Sequence, residues 1–252
     1  MSLSPTIDRL APGRRPVGPA VMYQSWRSLL FLHWSFPSEV IRPLLPQGLE
    51  LDTFDGQAYV GLVPFTMRSI RPRGLPALPW LSYFHETNVR TYVHHEGKDP
   101  GVWFFSLDAA NPVAVALARA WFHLPYYLAR MSLTTDPTKG TLTYASRRVR
   151  PTSPNPAVVS ISCKPTGDPR PAMIGTRDHF LLERYFLYAA YHDQLFRGQV
   201  HHTPYPVQTA EVDALEESLL KAAGMTRPEM SPIVHFSRGV DVEIFPLRKA
   251  LG

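Results

Sequence analysis

At 252 residues, with 44% apolar residues and 26 prolines, the chain is long enough to bury a full core, while its prolines disfavour long helices. The net charge of +5 rests on 21 arginines against 5 lysines, with no basic run long enough for a nucleic-acid-binding arm. The single cysteine, Cys163, excludes an internal disulfide framework and a zinc–thiolate cage, and no stretch reaches the ~20 apolar residues of a membrane-spanning helix.

Residues 1–22 are rich in Pro, Gly and Arg and read as an N-terminal arm, ordered only in part. They carry no apolar signal region, so a soluble protein in the cytoplasm is expected. The run from Arg27, RSLLFLHWSF, is strand-like, and Pro37-Ser38-Glu39 opens a short helix closed by Pro46 and Gly48. Residues 49–54 and 57–70 read as a hairpin around Asp55-Gly56. Pro64 within the second strand argues for a bulge or an edge position. Residues 71–82 form a proline-rich loop, of the kind that can gate a pocket.

HETNVRTYVHH alternates with period two, placing Glu86, Asn88, Arg90 and Tyr92 on one face. Such a face is either the lining of a lumen or a solvated sheet surface. Residues 101–107 are an apolar strand. Asn111-Pro112 supplies an N-cap and a first-turn proline for a helix with small residues. Residues 126–135, 140–149 and 157–164 follow as successive antiparallel strands, the last placing Cys163 in the core. The rest reads as a helix near 176–185, strands near 185–190, 196–203 and 206–213, a helix over 214–223 ended by Gly224, and a final strand pair near 232–246. No linker divides the chain, so residues 23–252 are expected to form one domain.

Four phrases together carry a family likeness: LLFLHWSFPSEVIRPLLPQGLELDTFDGQAYVGLVPF, NVRTYV, GVWFFSLDAANPVAVALAR and HLPYYLARM. With LLERYFLYA they resemble the YqjF-like branch of the acetoacetate-decarboxylase-like superfamily. The resemblance implies an α+β, β-dominated fold: an antiparallel β-barrel with a few short flanking helices, assembled as a homo-oligomer. It also implies a pocket for a small carboxylate or ketone. In the decarboxylases the residue after the helix-exit proline is the lysine that forms a Schiff base with a keto acid. Here Pro125 is followed by Tyr126 and Tyr127. The decarboxylases' pocket glutamate matches Glu86 and their arginine before the first core strand matches Arg27, but a further pocket glutamate has no acidic counterpart in AYVGLVPF.

A phenol of pKa ~10 cannot form an imine, so acetoacetate decarboxylation is not expected. Tyr126 can donate to an oxyanion or serve as a pocket-lining aromatic. Glu86 can work as an acid or base if buried beside aromatics, or be ionised and structural if paired with Arg27 or Arg90. Arg27 and Arg90 can each clamp a carboxylate. Asn88, Tyr127, His33 and His123 complete the candidate binding set. His94-His95 and His201-His202 are adjacent pairs, and strand neighbours point to opposite faces, so neither pair chelates a metal. No metal site and no cofactor is expected. The partners expected are a small ligand and further copies of the chain, with neither nucleic acid nor membrane. An enzyme on a small oxo acid and a non-catalytic binding or scaffold protein are the two readings that remain.

Overall fold

The computed structural model describes residues 7–149 and 157–250. The expected arm is covered from residue 7 onward, and residues 150–156 lie outside the described residues. In chain order the elements are β1 (Met22–Phe36), α1 (Ser38–Ile41), β2 (Glu50–Leu51), β3 (Ala58–Pro72), β4 (Phe84–His95) and β5 (Lys98–Ala109). Then follow α2 (Pro112–Phe122), β6 (Tyr126–Asp136), β7 (Thr141–Arg148), β8 (Val158–Arg170), α3 (Arg177–Leu182) and β9 (Phe186–Tyr191). The chain ends with β10 (Gln194–His201), β11 (Val207–Glu217), α4 (Leu219–Ala222), β12 (Ile233–Ile244) and β13 (Arg248–Lys249). The fold is α+β and dominated by strands.

All thirteen strands join one sheet, in the order β13-β10-β9-β5-β6-β7-β8-β11-β12-β1-β3-β4-β2. β5 also pairs with β4, and β10 with β12. The path from β5 through β6, β7, β8, β11, β12, β1, β3 and β4 therefore returns to β5. The sheet is not purely antiparallel, which corrects the expectation: β5 runs parallel to β6 and to β9. The reason is the crossover. A strand that continues into α2 and returns as a strand comes back in the same direction.

Strands β12, β1, β3, β4 and β5 form a wall with a core on each face. On β3, Tyr59, Val63, Phe65 and Met67 enter one core with Phe31, Tyr92, Tyr205 and α3. The alternate residues Ala58, Val60 and Leu62 enter the other, with Trp34, Tyr144, Ile161 and Cys163. Cys163 is fully buried as expected, and burial pushes its thiol up to about 12.

Strand β1 changes which residues face which core part-way along. Trp26 packs against the first core, as do Leu29 and Phe31, so the period breaks between 26 and 29. Ser28 is the extra residue: it has φ 51°, and the β1–β3 register shifts between Arg27 and Leu32. Pro64 falls opposite this gap. The expected bulge is there, on an interior strand rather than an edge.

Three further expectations change. Asp55-Gly56 does make a tight turn, with Phe54 and Gln57 exchanging both backbone bonds at 3.0 Å, but the residues before it form β2, which pairs with β4. The helix expected over 214–223 is only Leu219–Ala222, because β11 runs on to Glu217 against β8. The final strand pair is one long strand, β12, with the two-residue β13 beyond it. The segment before β1 is pinned to the body by an ion pair from Arg9 to Asp52 and a bond from Gln199 to the Pro12 carbonyl (3.0 Å).

Candidate functional site

The alternating face of β4 is buried. Glu86, Asn88, Arg90 and Tyr92 all point into the first core, opposite Phe65, Val63 and Gly61 of β3. Glu86 is 2% exposed, and the Tyr126 hydroxyl donates to its Oε2 at 2.9 Å. Tyr126 reaches it because β6 starts beside Leu107, whose N–H is held by the Pro125 carbonyl at 3.0 Å.

Burial raises Glu86 to about 8; the Tyr126 hydrogen bond opposes the rise, and the charge of Asp108 adds to it. Burial likewise pushes Tyr126 well above the usual phenol range, helped by the Glu86 charge. At neutral pH the pair is therefore a protonated carboxyl beside a protonated phenol. A buried carboxyl that titrates near neutrality can give or take a proton at the operating pH.

Three arginines are buried among the described residues, and their pairing differs. Arg148 lies 2.8 Å from Asp108, with its guanidinium 4.0 Å from the centre of the Tyr127 ring. Arg184 lies 2.6 Å from Asp52, which also holds Arg9. Arg90 has no carboxylate partner among the described residues. Its Nη2 donates to the Leu181 carbonyl at 3.3 Å, its guanidinium lies over the rings of Phe31 and Tyr92, and its Nε has no hydrogen-bond partner. The neighbouring Asn88 Oδ1 is buried without a partner as well.

His33 completes this face from β1. Its Nε2 is 2.7 Å from the Tyr92 hydroxyl, which also bonds to the Leu181 carbonyl at 2.7 Å, and its Nδ1 is unpartnered. Gly61 makes the room: a Cβ there would meet the His33 ring at 3.0 Å. Burial and the Arg90 charge hold His33 well below the ordinary histidine range, so it is neutral.

The structure thus gathers Glu86, Tyr126, Asn88, Arg90 and His33 around one core, and separates three other candidates from it. Arg27 bonds to Asp241 and to the carbonyls of Trp26 (3.0 Å) and Val240 (2.6 Å), while Trp26 beside it turns inward. Tyr127 is spent on Arg148. His123 ends α2 with φ 52° and stacks on Tyr191, ring centres 3.9 Å apart.

Residues from the C-terminal third join the same core and escaped sequence reasoning. Glu183 is buried, accepts from the Tyr185 hydroxyl (2.6 Å) and the Tyr205 N–H (3.0 Å), and is raised by burial. His202 packs between Tyr185 and Tyr205. The sequence did carry a signal for it: of two adjacent histidines at a strand end, alternation sends one inward. Among the described residues no cluster of metal-ligating side chains occurs, and no helix is long and apolar enough to cross a membrane.

Comparison with known proteins places this geometry. Residues 23–241 match the model of the DUF2071 family, described as an uncharacterized conserved protein. The YqjF protein of Bacillus subtilis (strain 168) is 38% identical over 234 residues, covering 93% of this chain and 94% of that protein. Acetoacetate decarboxylase from Legionella pneumophila superposes with a TM-score of 0.61 at 13% identity, covering 95% of this chain and 92% of that one. The enduracididine biosynthesis enzyme MppR complexed with pyruvate gives a TM-score of 0.60 at 13% identity, with 92% and 91% covered. The chain therefore belongs to the DUF2071 family, in the YqjF-like branch of the acetoacetate-decarboxylase-like fold.

Proposed function

We propose that the chain binds short carboxylates in the core faced by β4 and acts on a small oxo acid without a lysine Schiff base. The observation that carries this reading is Arg90. A buried guanidinium without a counter-ion is costly, and a ligand carboxylate is the partner that fits its free Nε. In this reading the returning path of strands is the wall of a barrel and the β4 face lines its interior. Glu86, which titrates at about 8, takes the C3 proton in its ionised form and returns it from its protonated form; Tyr126 supports the developing oxyanion; Asn88 and His33 bound the ligand. Arg27, Tyr127 and His123 are outside the pocket. MppR complexed with pyruvate is a precedent for a 2-oxo acid bound by a protein of similar fold. A homo-oligomer located in the cytoplasm belongs to the same proposal.

A second reading, a binding protein without catalysis, is favoured by one fact: the position of the decarboxylase lysine is a tyrosine whose hydroxyl is already bonded to Glu86. Melting of the wild type and Arg90→Met with butyrate, 2-oxobutyrate and butanone tests the pocket. A ligand at 100 times its Kd stabilises by about 2.7 kcal/mol. The carboxylates are expected to raise Tm in the wild type and not in Arg90→Met, whose own Tm stays level or rises because an uncompensated buried charge is gone. A loss of intrinsic stability in Arg90→Met with the ligand shift intact would overturn the anchor. Exchange of the 2-oxobutyrate C3 protons for deuterium, lost in Glu86→Gln, separates enzyme from binding protein.

A further inference from the structure

His202 is 2% exposed and its hydrogen bonding is one-sided. Its Nδ1 lies 2.7 Å from the Thr203 carbonyl. A carbonyl only accepts, so the proton is on Nδ1. The ring is neutral: burial lowers it to about 4 against the opposing pull of that carbonyl, and His201 and Arg90 add to the lowering. A neutral imidazole with its proton on Nδ1 has a bare lone pair on Nε2. That Nε2 is buried and has no partner. The ring is held in place, 4.7 Å from Tyr185, 4.5 Å from Tyr205 and 5.9 Å from Trp26, centre to centre.

Arg90 belongs to the same aromatic group. Its guanidinium is 5.6 Å from the centre of Phe31, Phe31 is 5.4 Å from Tyr205, and Tyr205 meets His202. One core thus presents an unused cationic donor, Arg90 Nε, and an unused neutral acceptor, His202 Nε2. A ligand that satisfies both carries an anionic acceptor at one end and a hydrogen-bond donor at the other. A ketone oxygen at the second position would meet a lone pair with a lone pair; a hydroxyl would donate to it.

We infer that His202 is a specificity-determining residue, whose Nε2 accepts a hydrogen bond from the hydroxyl of a short hydroxy acid, or of the enol of an oxo acid, held by Arg90. This deepens the proposed function and rests on its reading of Arg90.

Calorimetric titration of butyrate, 2-hydroxybutyrate, 3-hydroxybutyrate and 2-oxobutyrate into the wild type and His202→Phe tests it. Phenylalanine keeps the ring stack and removes the acceptor. In the wild type at least one hydroxy acid is expected to bind about tenfold or more tightly than butyrate. In His202→Phe that ratio falls to near one while butyrate binds as before. Equal binding of all four acids by the wild type, or a ratio that survives in His202→Phe, overturns the His202 assignment and leaves the Arg90 pocket standing. No binding of any acid overturns both. Nitrogen-15 NMR of the wild-type histidines needs no variant: Nε2 of His202 must be the unprotonated nitrogen and must shift when the tighter hydroxy acid is added. A proton on Nε2, or no shift, contradicts the inference.

Discussion

Glu86 shows how one residue's setting decides its chemistry. Its carboxyl is raised from 4.5 to about 8 in the folded chain, with burial the largest cause. Between those values the folded state holds a proton that the unfolded state has lost. Its contribution to stability is therefore full below about pH 4.5 and falls as pH rises through 8. The drop is on the order of 5 kcal/mol. Glu86→Gln lacks this titration. Urea melts from pH 5 to 8 should show the wild type losing stability relative to Glu86→Gln with each step, and parallel curves would show that Glu86 is ionised throughout. The candidacy of Glu86 was legible, because alternation puts it on the same face as Arg90 and Tyr92. The fate of Arg27 was not legible: no local pattern reveals that an inward Trp26 and a bulge at Ser28 leave it to bond with Asp241.

At the scale of elements, capping was the clearest sequence signal. The Asn111 side chain accepts from the Val113 and Ala114 N–H groups, both at 3.0 Å, with Pro112 filling the first turn. Its Nδ2 also donates to the Trp80 carbonyl at 3.0 Å, tying the proline-rich loop to α2. Asn111→Ala should cost about 1–2 kcal/mol in urea denaturation. Asn111→Asp should recover the cap and not the link to Trp80, so its loss should be smaller; equal losses in the two variants would mean that the loop contact, not the cap, is what matters. Strand direction was harder to read. Strand, helix and strand over 101–131 already spell a crossover, and a crossover implies the parallel β5–β6 pair. The parallel β5–β9 pair joins residues 85 apart in the chain, and neither spacing nor turn residues announce a contact of that range.

The whole molecule is a wall of strands between two cores. Asn88, Arg90, His33 and His202, each with an unpartnered buried atom, face the first core. The second gathers Trp34, Ile161, Cys163 and their apolar neighbours. The strand face toward the second core is polar at one end as well, where Asp108 and Arg148 form a buried ion pair. The family and the strand-rich class were legible because they are written in long phrases. The division between the cores was not, since it depends on which alternate residues meet across β12, β1, β3, β4 and β5. The most direct test of the account is a crystal structure of the wild type grown with 2-oxobutyrate. The account predicts the ligand in the first core, its carboxylate within hydrogen-bond distance of Arg90 Nε and its oxo-bearing end toward Glu86 and Tyr126. A ligand bound elsewhere with Arg90 unchanged, or a carboxylate from another copy of the chain filling that position, would contradict it.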